Sequence, residues 1–200
     1  TNAITGQTLT VKVATLADPT NVSTDPVSKF VIGGTSATAQ NLKFVATDGN
    51  ATINEMTFTV SSETAISQIT VDGKSQPVSG STATLTGLSK EIVAGLQGTN
   101  VAVVATYIPV TSSGQGGVAT NATSSITLTS VKYTVNGVQS TKTGLTVASN
   151  PMTVVAAYPT VELASGTPAG MSSGYLADAN SELIRFKVAN SGTSNPINLK

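Results

Sequence analysis

Residues 41–60 read NLKFVATDGNATINEMTFTV. Leu42, Phe44 and Ala46 alternate with Lys43, and Met56, Phe58 and Val60 alternate with Thr57 and Thr59. A period of two is that of a strand with one apolar and one wet face. Between the runs lies Asp48-Gly49-Asn50, whose Asp-Gly and Gly-Asn steps are turn dipeptides. Two strands joined by a hairpin turn are expected here.

The same pattern extends outward. Leu9, Val11 and Val13 alternate with Thr10 and Lys12; further strand segments are Ile69 with Val71, Ala83 with Leu85, Val101 through Tyr107, Ile126 with Leu128, Val131 through Val135, and Met152 through Tyr158. Gly, Pro, Asn and Ser clusters separate them at the spacing of a sandwich, and no segment reads as a helix. The fold class is all-β, an antiparallel β-sandwich. Its expected interior holds Val11, Phe44, Met56, Phe58, Val103, Leu128, Tyr133 and Val154. Parity slips between Leu128 and Val131, which fits either a β-bulge near Thr129 and Ser130 or two separate strands. Asn136-Gly137 after Tyr133 and Val135 is a type I′ hairpin signal; Asp72-Gly73 after Ile69 and Val71 is the same case as Asp48-Gly49-Asn50, a turn dipeptide that also offers oxygen ligands. Residues 19–28 and 111–123 (TSSGQGGVATNAT) read as the most mobile loops.

Composition narrows the chemistry. Among 200 residues there is no Cys, His or Trp, and ten Lys plus Arg balance ten Asp plus Glu. Thiol and imidazole chemistry is thereby excluded, and a neutral chain lacks the dense cationic footprint of nucleic-acid binding. Glycosidase carboxylates would need sugar-stacking rings, yet the chain offers four Tyr and four Phe, most in strand registers that point inward. A Ser or Thr nucleophile would have to use Lys as its base. We expect no enzyme. The 33 Thr and 23 Ser, beside 39% hydrophobic residues, describe a folded, hydroxyl-rich protein rather than a disordered one. No apolar run approaches the roughly 20 residues of a transmembrane helix. Residues 1–30 lack the charged start and apolar block of a signal peptide. Zero Cys fits either the cytosol or an extracellular protein that does without disulfides, and the Thr and Ser load with few Lys and Glu favours a place outside the cell.

An internal repeat organises the chain. Asn2-Ala3-Ile4-Thr5 matches Asn150-Pro151-Met152-Thr153, and Thr10-Val11-Lys12-Val13-Ala14 matches Thr160-Val161-Glu162-Leu163-Ala164. Leu42-Lys43-Phe44 then answers Ile184-Arg185-Phe186, and Ala51-Thr52-Ile53-Asn54 answers Asn195-Pro196-Ile197-Asn198. The order is kept throughout. It implies a tandem repeat of about 145–150 residues, with 1–8 the last strand of a preceding unit, 9–158 a complete unit and 159–200 the first strands of a following one.

The segments PTVELASGTP (159–168) and ELIRFKVANSGTSNPINL (182–199), with LSKEIVAGLQGTNVAVVATY (88–107) carrying Ile92, Ala94 and Gly95 in an I-x-A-G pattern, resemble Ig-like tandem repeats of large bacterial surface proteins of S-layer or adhesin-stalk type. The resemblance implies an Ig-like sandwich in a structural extracellular protein, an S-layer or cell-surface filament unit whose partners are copies of itself or further repeats of the same polypeptide. It carries over no catalytic residue. The alternative is an adhesin or carbohydrate-binding module working through its loops.

Two sets of residues are candidate sites. Asp48, Asn50 and Glu55 gather oxygen ligands of the kind Ca²⁺ takes, although the spacing is not that of an EF-hand and turn formation accounts for it as well. No other cofactor is expected. Asn21, Asn50 and Asn121 head sequons of N-glycosylation form, in a composition where such triplets also arise by chance.

Overall fold

The computed structural model describes residues 12–110, 121–165 and 185–191, and every helix or strand among them is a strand. In chain order these are β1 (Thr15–Leu16), β2 (Thr20–Asn21), β3 (Phe30–Ile32), β4 (Ser36–Phe44), β5 (Ala46–Thr47) and β6 (Ala51–Val60). Next come β7 (Ile66–Val71), β8 (Lys74–Pro77), β9 (Thr82–Leu85), β10 (Lys90–Ile92) and β11 (Thr99–Tyr107). The remainder are β12 (Ala122–Ser124), β13 (Ile126–Val135), β14 (Val138–Ala148), β15 (Met152–Val155), β16 (Pro159–Leu163) and β17 (Phe186–Asn190).

Two five-stranded antiparallel sheets dominate. One runs β10-β6-β13-β14 with β9 also paired to β6, and the other runs β2-β4-β11-β7-β8. Apolar parity decides what each buries: Leu42, Phe44, Ile69 and Val103 come from the second sheet, Ile53, Met56, Phe58 and Leu128 from the first. All eight belong to one cluster, the core of a β-sandwich-like all-β fold. Each such side chain contributes roughly 1.5–3 kcal/mol on burial. Val154 is equally buried, whereas Tyr133 is half-buried against the core and Val11 lies outside the described residues.

Several local expectations match. Register shifts between Leu128 and Ser130, so Thr129 is the extra residue of a bulge within one continuous strand, and its hydroxyl donates to the Thr57 carbonyl at 3.1 Å. Ile126, Leu128, Val131 and Val135 consequently share the buried face. Asn136-Gly137 (φ 49° and 78°) closes β13 onto β14, and Asp72-Gly73 (φ 49° and 76°) closes β7 onto β8; both are two-residue turns with positive φ throughout.

Other expectations are corrected. The stretch 41–60 is not a hairpin, because β4 pairs with β11 in one sheet while β6 pairs with β13 in the other. Asp48 (φ 58°) and Gly49 (φ 154°) make a corner between sheets, and a Cβ on Gly49 would stand 2.7 Å from that of Ala14. Val13 is 75% exposed, since the first strand begins at Thr15 and it is Ala14 and Leu16 that are buried. The strand from Met152 ends at Val155 rather than Tyr158. Residues 19–28, read as a mobile loop, contain β2, bonded to β4; of the 111–123 loop, 111–120 lie outside the described residues.

Three smaller sheets complete the topology among the described residues. β1 is antiparallel to β5 at the Asn136 end of β13. At the other end, β15 lies antiparallel to β12 and parallel to β3. β16 and β17 form a separate antiparallel pair, Leu163 opposite Phe186.

Candidate functional site

The inter-sheet corner holds two of the oxygen-bearing candidates. Lys12 Nζ lies 3.3 Å from Asp48 Oδ1. Asn50 Nδ2 donates to Glu91 Oε1 at 2.8 Å, and its Oδ1 accepts from the Ala94 amide at 2.9 Å. Gly95 N then donates to the Ala46 carbonyl at 2.9 Å, so the I-x-A-G segment is stitched to the corner by backbone. Glu55 stands on β6 beside its cross-strand neighbour Lys132, with Oε2 at 3.2 Å from Nζ. Asp48 and Asn50 thus share the turn, Glu55 faces β13, and each of the three is engaged by a different partner. Among the described residues no three His, Cys, Asp or Glu side chains gather as metal ligands would.

The sequons differ in what their amide nitrogen is doing. Asn21 Nδ2 donates to the Ala148 carbonyl at 2.7 Å, and that of Asn50 is held by Glu91. Asn121 occupies an exposed turn with φ 65°; its backbone N–H donates to the Val154 carbonyl at 2.8 Å. N-glycosylation attaches sugar at Nδ2, and of the three it is Asn121 whose Nδ2 makes no hydrogen bond among the described residues.

A polar cluster that sequence reading missed lies where the sheets meet. Gln40 shares parity with Leu42 and Phe44 and is fully buried. Its Nε2 donates to Asn21 Oδ1 and to the Val147 carbonyl, both at 2.9 Å, while its Oε1 has no partner among the described residues. Through Asn21 and Gln40, edge strand β2 of one sheet is fastened to edge strand β14 of the other. The signal was present as a lone amide on an apolar face.

Nearby, Asp25 Oδ1 accepts from the Asn41 amide at 2.6 Å, and Oδ2 is buried without a partner among the described residues. Burial holds this carboxyl above its ordinary value of 3.8, opposed by the Asn41 hydrogen bond. A raised folded-state pKa contributes stability below the unfolded value and loses it as pH rises through the folded value. Asp25→Asn keeps the acceptor for Asn41 and is expected to flatten that decline. Thermal melts of both proteins in acidic and neutral buffer check it; an unchanged pH slope in the variant would refute the assignment. Tyr107 is also buried, its hydroxyl without a partner among the described residues, and burial pushes its pKa up to about 12.

The described residues define a class, an all-β protein of several antiparallel sheets in which no helix is long and apolar enough to cross a membrane. No protein-family model and no curated protein matches the chain.

Proposed function

We propose that the chain is a structural protein of the cell surface, an S-layer or cell-surface filament unit built from repeated Ig-like domains that associate with copies of themselves or with further repeats of the same polypeptide. It acts without catalysis. The carrying observation is the β16–β17 pair, which follows the sandwich at the point where the repeat order expects the opening strands of a next unit. Val161, Leu163 and Phe186 on this pair are 66%, 70% and 60% exposed. Two strands with a bare apolar face are marginal alone and need a further layer.

The charge balance supports the same reading. Zero net charge and few charged groups remove the long-range repulsion that would oppose close packing of copies. The test is the solution mass of the purified chain with electron micrographs of concentrated samples. Oligomers, sheets or fibres are expected, lost in Phe186→Glu; a dispersed monomer with β16 and β17 resistant to protease would overturn the proposal.

A further inference from the structure

The outer face of the second sheet carries a groove of about 540 Å³ between β2, the loop after it and the residues leading into β11. Pairing builds its floor: Lys43 on β4 is opposite Thr20 on β2 and opposite Asn100 on β11. Directly paired side chains on one face stand about 5 Å apart. These three form a polar row pointing away from the core, because Leu42 and Phe44 on either side of Lys43 are fully buried.

Both walls are fixed. Val22 N donates to the Asn41 carbonyl and Asp25 N to the Val22 carbonyl, each at 3.0 Å, while Asp25 Oδ1 holds the Asn41 amide. Those bonds set the loop bearing Ser23 and Thr24. On the opposite side Gly98, at φ 69°, lies so close that a Cβ there would meet the Phe44 carbonyl oxygen at 2.6 Å and Lys43 Cε at 3.0 Å. The backbone beside Gln97 therefore packs onto the lysine stem.

Apart from Asn21, whose amide is committed to Ala148 and Gln40, the polar side chains of this groove are unspent. No side-chain hydrogen bond among the described residues occupies Thr20, Ser23, Thr24, Lys43, Gln97 or Asn100. Lys12, Lys90, Lys132 and Lys142 each meet a carboxylate, whereas Lys43, like Lys29 and Lys74, meets none among the described residues, and no acidic residue lines the groove. From this arrangement we infer that the groove binds a carboxylated sugar, a uronic-acid type unit of a glycan. The Lys43 ammonium pairs with the carboxylate; the Gln97 and Asn100 amides and the Ser23 and Thr24 hydroxyls exchange hydrogen bonds with ring hydroxyls. Val22 offers the one apolar contact among the lining residues, for a C–H face. A single cation without buried amide donors suits one carboxylate among hydroxyls better than phosphate, and a neutral sugar would leave Lys43 unused. With no aromatic ring in the lining, affinity is that of a lone module, on the order of 1 mM.

The test titrates isotope-labelled full chain with glucuronate, glucose, acetate and inorganic phosphate, reading amide shifts by NMR. Saturable shifts confined to residues 20–25, 43 and 97–100, strongest for glucuronate, are expected. Lys43→Gln, an outward-facing change, should weaken glucuronate at least tenfold and leave glucose unchanged, and Asn100→Ala should weaken both. Acetate or phosphate matching glucuronate, an unaltered Lys43→Gln titration, or absence of localised shifts would each overturn the inference. Assembly in electron micrographs is an independent readout, so failure of this site and failure of the structural proposal are told apart.

Discussion

Phe58→Ala is expected to cost about 3–5 kcal/mol, the range of a buried aromatic truncated in a core that only partly collapses. Phe58 is fully buried on β6, the strand flanked by β13 on one side and by β9 and β10 on the other. Paired residues Leu128 and Ala83 hold it laterally and are themselves buried, so neither strand is free to move into the gap. Chemical denaturation of wild type and variant measures the loss; a variant melting like wild type would remove Phe58 from the core.

Gln40→Glu is the second large change, nearly isosteric and purely electrostatic in intent. The amide nitrogen that donates to Asn21 Oδ1 and the Val147 carbonyl becomes an oxygen facing two acceptors, at a site with no solvent access. Full burial displaces a carboxyl by as much as about 3–5 pKa units, and three units correspond to about 4 kcal/mol. The folded-state pKa is raised, so the variant approaches wild-type stability in acid, where the carboxyl is protonated and can donate one hydrogen bond. Stability is then lost as pH rises from the unfolded value through the folded one. Denaturation midpoints at acid and neutral pH give the difference, and a pH-independent deficit would show that the site admits water.

Burial was legible wherever parity alone decides it. Leu42, Phe44, Met56, Phe58 and Val60 follow from period two, whereas the slip between Leu128 and Val131 left a bulge and two separate strands both open, since one extra residue and a chain break invert the later side chains alike. Turns at Asn136-Gly137 and Asp72-Gly73 were legible because positive φ at both positions selects few residue types. Partner choice was not. Nothing within residues 41–60 says that β6 prefers β13, far along the chain, to its neighbour β4, and this is why a corner reads as a hairpin. The same limit governs sites. Asp48, Asn50 and Glu55 are close in sequence, yet the pleat turns Glu55 toward Lys132 while Asn50 reaches Glu91. Thr20, Lys43 and Asn100 are distant in sequence and meet only because two strand registers align them. Gln40 alone was readable in principle, as an amide in line with Leu42 and Phe44.

The two short pairings at opposite ends of β13 have a mechanical meaning. The chain enters through β1, bonded alongside β5, and leaves the sandwich through β15, bonded alongside β3 with both strands running the same way. Tension applied through entry and exit along these strands slides each against its neighbour, so the inter-strand bonds of a pair are strained together instead of opening in sequence from one end. Gly33 N donating to the Val155 carbonyl at 3.0 Å, just before the exit, adds one more bond to that row. Forced unfolding through these ends is governed by an unfolding rate rather than by equilibrium stability. The sandwich is thereby held at both ends by strand pairing as well as by its core.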